Sequence, residues 1–131
     1  MPNFRWACAK NGCYKDLCLP DWSILNDALA PCRMGDLDGF VERRGHFLVV
    51  EWKPLGKSVE RAQERALSAL NEHERFTVLI VHGLTDPMEP KTVRYPFGKD
   101  KPTNLTEFQE GVRRWFAEAS SKKAAPHPGG A

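Results

Sequence analysis

Residues 37–53 admit few folds. Two runs of strand-forming residues, 37–43 and 46–53, flank Arg44-Gly45, a dipeptide suited to a two-residue hairpin turn. With Arg43 opposite His46, counting back sets Asp38 opposite Glu51 and Asp36 opposite Lys53. Directly opposed residues share a face, with Cβ atoms about 5 Å apart. Lys53, two residues beyond Glu51, lies on that same face with Phe40, Phe47 and Val49, while Leu37, Val41, Leu48, Val50 and Trp52 occupy the other. A hairpin apolar on both faces needs cover on both sides, which places it centrally in a layered α/β arrangement. The pairing depends on the turn: a three-residue turn would slide the register by one and put the two acids on opposite faces.

The hairpin also gathers its charges at one end. Two opposed carboxylates repel each other and destabilise a sheet, and charges at the margin of a buried sheet need a partner. A divalent cation between Asp38 and Glu51 would turn that cost into a site, because hard cations favour carboxylate oxygens and keep several waters. The competing explanation is an ion pair of Glu51 or Asp36 with Lys53 at a solvated strand end. Asp36-x-Asp38-Gly39 also begins like a calcium loop, but the remaining ligands and the closing Glu are missing.

The rest of the chain fits around this hairpin. Asp21 can cap a short helix over 22–29, which Pro31 stops. Ser58 can cap a helix running to about 73, with an apolar stripe of Val59, Ala62, Ala66, Leu67 and Leu70. Gln63 falls inside that stripe, so its amide needs a partner: either a nearby backbone group or the charged end of the hairpin. Residues 76–82 (FTVLIVH) read as a strand covered on both faces. The proline-rich stretch 83–102 reads as loop, with a short edge strand over 92–95. Asn104 and Glu107 form a capping box for a helix with Leu105, Phe108, Val112, Trp115, Phe116 and Ala119 on one side. One domain over 1–119, with its core motif at 36–82 and a C-terminal tail at 120–131, is the expected organisation.

Composition narrows the function classes. With 19 Lys plus Arg against 17 Asp plus Glu in 131 residues, the chain is no basic arm, and nucleic-acid binding must come from local patches. No apolar run approaches the roughly 18 residues of a membrane span, and MPNFRWACAK lacks the apolar core of a secretory signal. A cytoplasmic protein, from a bacterium or a phage-infected host cell, is the expectation. Cys8, Cys13, Cys18 and Cys32 lack the CxxC spacing of zinc ribbons. Reduced thiols are the first reading and a Zn²⁺ or iron–sulfur site the second.

Asp38, the Glu51-Trp52-Lys53 triplet and Gln63 on the following helix together resemble the PD-(D/E)XK nuclease superfamily. The likeness is to its compact branch of archaeal Holliday-junction resolvases, RecB-type nuclease domains and VRR-Nuc domains. It covers MGDLDGFVERRGHFLVVEWK, the helix to Gln63 and the strand to His82, about a third of the chain. Leu37 stands where the superfamily has Pro, and all four cysteines precede the motif, unlike the iron–sulfur members. The resemblance implies a restriction-endonuclease-like α/β core of αβββαβ type, a small mixed sheet flanked by helices. It implies metal-dependent phosphodiester hydrolysis, with DNA the expected substrate and endonuclease action favoured. Asp38 and Glu51 would hold Mg²⁺ or Mn²⁺, with Asp36 and Asp27 as further candidate ligands; Asp21 and Asp16 compete with Asp27 for the first-helix acid. Lys53 would orient the attacking water or stabilise charge on the phosphate, and Gln63 would position water or backbone. Arg43, Arg44, Lys57 and Arg61 are the nearest candidate phosphate contacts. The small size fits a phage or mobile-element protein that dimerises or works with a partner. The rival is a non-catalytic nucleic-acid-binding or regulatory module on the same fold.

Overall fold

The structure is a computed structural model that describes residues 22–122. The chain divides into two compact units, Met1–Asp36 and Leu37–Ala131. In the first, a 3₁₀ turn at Trp22–Leu25 runs into a short helix, α1 (Asn26–Leu29), close to the expected 22–29. The capping role expected of Asp21 lies outside the described residues.

The second unit holds β1 (Gly39–Arg43), β2 (His46–Pro54), α2 (Arg61–Asn71), β3 (Phe76–Leu84), β4 (Glu89–Arg94), β5 (Lys101–Pro102) and α3 (Leu105–Ser121). The strands form one mixed sheet in the order β1-β2-β3-β4-β5. Only β2 and β3 run parallel. The fold is therefore mixed α/β, with a five-stranded sheet flanked by helices. The internal order departs from the αβββαβ expectation, because two strands precede α2 among the described residues and three follow it. Two of those three come from 83–102: the short strand expected over 92–95 is the second half of β4 and lies inside the sheet, between β3 and β5, while 89–91 and β5 replace expected loop. Pro90 is tolerated in β4 because it pairs with Gly83 at a register shift in β3. That pairing needs glycine: a Cβ on Gly83 would lie 2.2 Å from the Glu89 carbonyl oxygen.

The hairpin turn has the expected length. Arg44 (φ 53°) and Gly45 (φ 83°) are both left-handed, as in a type I′ turn whose twist matches the strands. The Gly45 N–H donates to the Glu42 carboxylate at 2.7 Å. The register follows, from Arg43 opposite His46 to Gly39 opposite Val50.

On one face of the sheet, α2 buries Leu67 against Val49, Val78 and Ile80, with Val59, Leu70 and Phe76 packed around them. On the other, α3 brings Phe108, Val112 and Trp115 alongside Leu48, Leu79 and Val93. Asn104 caps α3 as expected, its side chain accepting the Glu107 N–H at 2.9 Å. The helix runs past 119 to Ser121. Ser58 does not cap α2. The chain turns at Gly56 (φ 82°), and α2 starts only at Arg61, with Glu60 as an N-cap that makes no side-chain bond. It ends at Asn71, short of the expected 73.

Candidate functional site

The end of β2 sets the site. Period-two alternation puts Glu51 and Lys53 on the α2 face of the sheet, beside Ile80 and His82 of β3. At the start of β1 the ladder stops at Gly39. Asp38, one residue earlier, keeps its place across from Glu51 through its side chain: Oδ2 accepts the Trp52 N–H at 2.8 Å. The Trp52 indole instead donates to Thr85 at 3.0 Å, consistent with a packing role.

Glu51 is the unusual group. It is 2% exposed. Its Oε1 accepts a 2.6 Å hydrogen bond from the Gln63 amide and lies 3.8 Å from the Lys53 ammonium. Its Oε2 is buried with no hydrogen-bond partner among the described residues. Burial, and then the Asp38 carboxylate beside it, push the Glu51 pKa up to about 7, against the opposing pull of Gln63 and Lys53. Of the two partners open to Gln63, it takes the charged end of the hairpin.

The next residue of α2 was not legible as a site residue. Glu64 is buried and accepts both terminal nitrogens of Arg94, at 2.7 and 2.8 Å. It also accepts the Phe97 N–H at 2.8 Å. The Arg94 hydrogen bonds hold its carboxyl below the usual range despite the cost of burial. Counting back three and four residues from Leu67 lands on Glu64 and Gln63, the signal that would have found both. The expected stripe was rotated too far: Ala62 and Ala66 are exposed. One turn of α2 thus braces the end of β2 through Gln63 and β4 through Glu64.

His82 also belongs here. It sits opposite Lys53 in the parallel ladder. Its Nε2 lies 2.8 Å from the Lys57 carbonyl oxygen, and its Nδ1 is buried without a partner among the described residues.

Asp38, Glu51, Lys53 and Gln63 therefore come together. Asp27 and Asp36 belong to the other unit, and Asp36 is its last residue. Arg43 and Arg44 engage the end of α3: Arg43 lies over the Phe116 ring, 5.1 Å from its centre, and donates to Ser120 at 2.9 Å. Arg44 donates to the Lys122 carbonyl. Both tie the end of α3 to the hairpin tip. Lys57 and Arg61 have exposed side chains next to the site. Cys32 is an exposed free thiol, while Cys8, Cys13 and Cys18, with Asp16 and Asp21, lie outside the described residues.

Among the described residues, no cluster of three or more His, Cys, Asp or Glu is placed to hold a metal ion. A hard cation does not need one. Two carboxylates with retained waters suffice for Mg²⁺, and the unpartnered Oε2 of Glu51 beside Asp38 fits such a ligand pair. No helix among the described residues is long and apolar enough to cross a membrane. No protein-family model matches this chain, and neither a curated protein nor a solved structure matches it.

Proposed function

We propose that this chain is a metal-dependent nuclease that hydrolyses phosphodiester bonds in DNA as an endonuclease, on a restriction-endonuclease-like core. The observation that carries the reading is the buried Glu51 carboxylate, its Oε2 unpartnered and its pKa raised partly by Asp38. A fold does not keep two acids this close without a cation or a proton between them. An ion pair alone accounts for the site poorly, because Lys53 approaches only Oε1, and at 3.8 Å.

Asp38 and Glu51 would hold Mg²⁺ or Mn²⁺. When bound, the cation would polarise the phosphate and lower the pKa of its water. The chain's own side chains divide the remaining work. Gln63 fixes the Glu51 carboxylate by its 2.6 Å bond, which leaves Oε2 directed away from the helix amide. Lys53, held beside Glu51, supplies positive charge for the phosphate as negative charge builds on it. Lys57 and Arg61, exposed next to this end of the sheet, would neutralise flanking phosphates.

The test is cleavage of circular, linear, single-stranded and branched DNA with Mg²⁺, Mn²⁺ or EDTA. Wild type runs beside Asp38→Ala, Glu51→Ala and Lys53→Ala, each checked for folding by circular dichroism. Metal-dependent cleavage lost in all three folded variants is expected. DNA binding without cleavage of any substrate would favour the non-catalytic module.

A further inference from the structure

Two buried side-chain acceptors are left without partners among the described residues: Oε2 of Glu51 and Nδ1 of His82. The first belongs to the proposed metal site. The second has no role in it so far.

The ring of His82 is fixed from one side. A carbonyl oxygen can only accept, so the 2.8 Å contact with Lys57 requires the hydrogen on Nε2. In the neutral ring with that hydrogen, Nδ1 presents a lone pair. An imidazole that donates one nitrogen to a backbone carbonyl and offers the other as an acceptor is oriented for a specific hydrogen on the far side. A buried acceptor with nothing to accept is costly.

Position says where that hydrogen comes from. His82 stands directly opposite Lys53 and diagonally across from Glu51, whose own ladder partner is Ile80. All three side chains rise from the same face. The loop after β2 delivers the Lys57 carbonyl that holds the ring, and the same loop leads into α2 and Gln63. The two orphaned acceptors thus flank one end of a single sheet face. A water molecule donates two hydrogens, which is what two unpartnered acceptors on one sheet face call for.

We propose that His82 is a further polar arm of this site, its Nδ1 accepting a hydrogen bond from water held by the Asp38–Glu51 pair. This rests on the nuclease reading, in which that water is the nucleophile. As the oxygen of that water bonds to phosphorus, the P–O bond to the leaving strand breaks, the water's proton passes to solvent and the departing oxygen takes one from solvent; His82 turns the water's lone pair toward phosphorus, and the Lys57 carbonyl sets the angle of the ring.

Two variants separate the two nitrogens. Asn at position 82 keeps an acceptor near the place of Nδ1 and loses the Lys57 bond. Gln keeps a donor near the place of Nε2 and loses the inner acceptor. With His82→Gln, kcat for DNA cleavage should fall about 100-fold, the scale of a misplaced reacting group, with KM unchanged. His82→Asn should keep most of the wild-type kcat. A second readout needs no turnover: Mn²⁺ should broaden the His82 ring signals in the NMR spectrum of the wild-type chain, and Glu51→Gln should abolish that broadening.

The reverse order, His82→Gln active and His82→Asn impaired, would leave the ring only its Lys57 bond and overturn the proposal. Equal losses in both variants with a raised KM would do the same. So would metal-dependent cleavage with His82 signals untouched by Mn²⁺. If wild type cleaves nothing while Mn²⁺ still broadens His82, the nuclease reading falls and the placement of His82 at the bound water stands.

Discussion

Glu51→Gln should stabilise the metal-free protein at alkaline pH while removing its activity. In the unfolded chain a glutamate titrates near 4.5, whereas in the fold Glu51 titrates at about 7. Between those values the native state holds a proton that the unfolded state has released. Stability therefore falls as pH rises through this window and levels off above it. The interval between 4.5 and about 7, at about 1.36 kcal/mol per pH unit, sets a ceiling of about 3 kcal/mol. Glutamine has the same shape and carries no charge, and its carbonyl can still accept from Gln63. The assay is urea unfolding in EDTA at steps from pH 4.5 to 8.5. The stability of Glu51→Gln relative to wild type should rise across this range by up to about 3 kcal/mol. Adding Mn²⁺ at pH 8 should then stabilise wild type, by about 2.7 kcal/mol at 100 times Kd, and leave the variant unmoved. Parallel pH curves for the two proteins would refute the claim that burial and Asp38 hold the Glu51 proton.

The remaining predictions concern the supports of the site. Arg94→Met leaves the buried Glu64 carboxylate unpaired and should cost about 3 kcal/mol at pH 7 by urea unfolding. Arg94 depresses the Glu64 pKa in the native state, so the wild-type advantage exists above the ordinary glutamate value and should shrink as pH falls through the depressed one. Gln63→Ala removes the one hydrogen bond to Glu51 Oε1; it should lower cleavage about tenfold or more and cost about 1 kcal/mol in stability. Gly83→Ala forces β4 away from β3 at the shift between His82 and Gly83 and should cost about 3 kcal/mol in thermal unfolding. Arg43→Ala should cost at most about 1 kcal/mol, the scale of an exposed cation–π contact, and leave DNA affinity within twofold if the arginine serves only the fold.

The hairpin and the placement of Asp38 across from Glu51 were legible in the sequence because turn chemistry and period-two alternation are local. Once Arg44-Gly45 is a two-residue turn, the position of Asp38 across from Glu51 is arithmetic. The Asn104 cap and the apolar side of α3 were readable for the same reason. What was missed depends on tertiary partners. Pro90 argued against a strand until Gly83 offered it a place to pair. Ser58 looked like a cap because nothing local revealed that the 55–60 segment turns its Lys57 carbonyl toward His82. Glu64 passed for an ordinary solvated acid of an amphipathic helix, since its partners, Arg94 and the Phe97 N–H, come from thirty or more residues away. The bonds of Arg43 and Arg44 to the end of α3 were not readable, because the sequence does not reveal that the end of α3 returns to the hairpin tip.

The most direct test of the central claim is strand scission of one supercoiled circular DNA by wild type and Asp38→Asn, purified side by side, in Mg²⁺ and in EDTA. Nicking by wild type in Mg²⁺, absent in EDTA and absent from a folded Asp38→Asn, is the expected result. Scission by Asp38→Asn at the wild-type rate would mean that the paired carboxylates are not where the chemistry occurs.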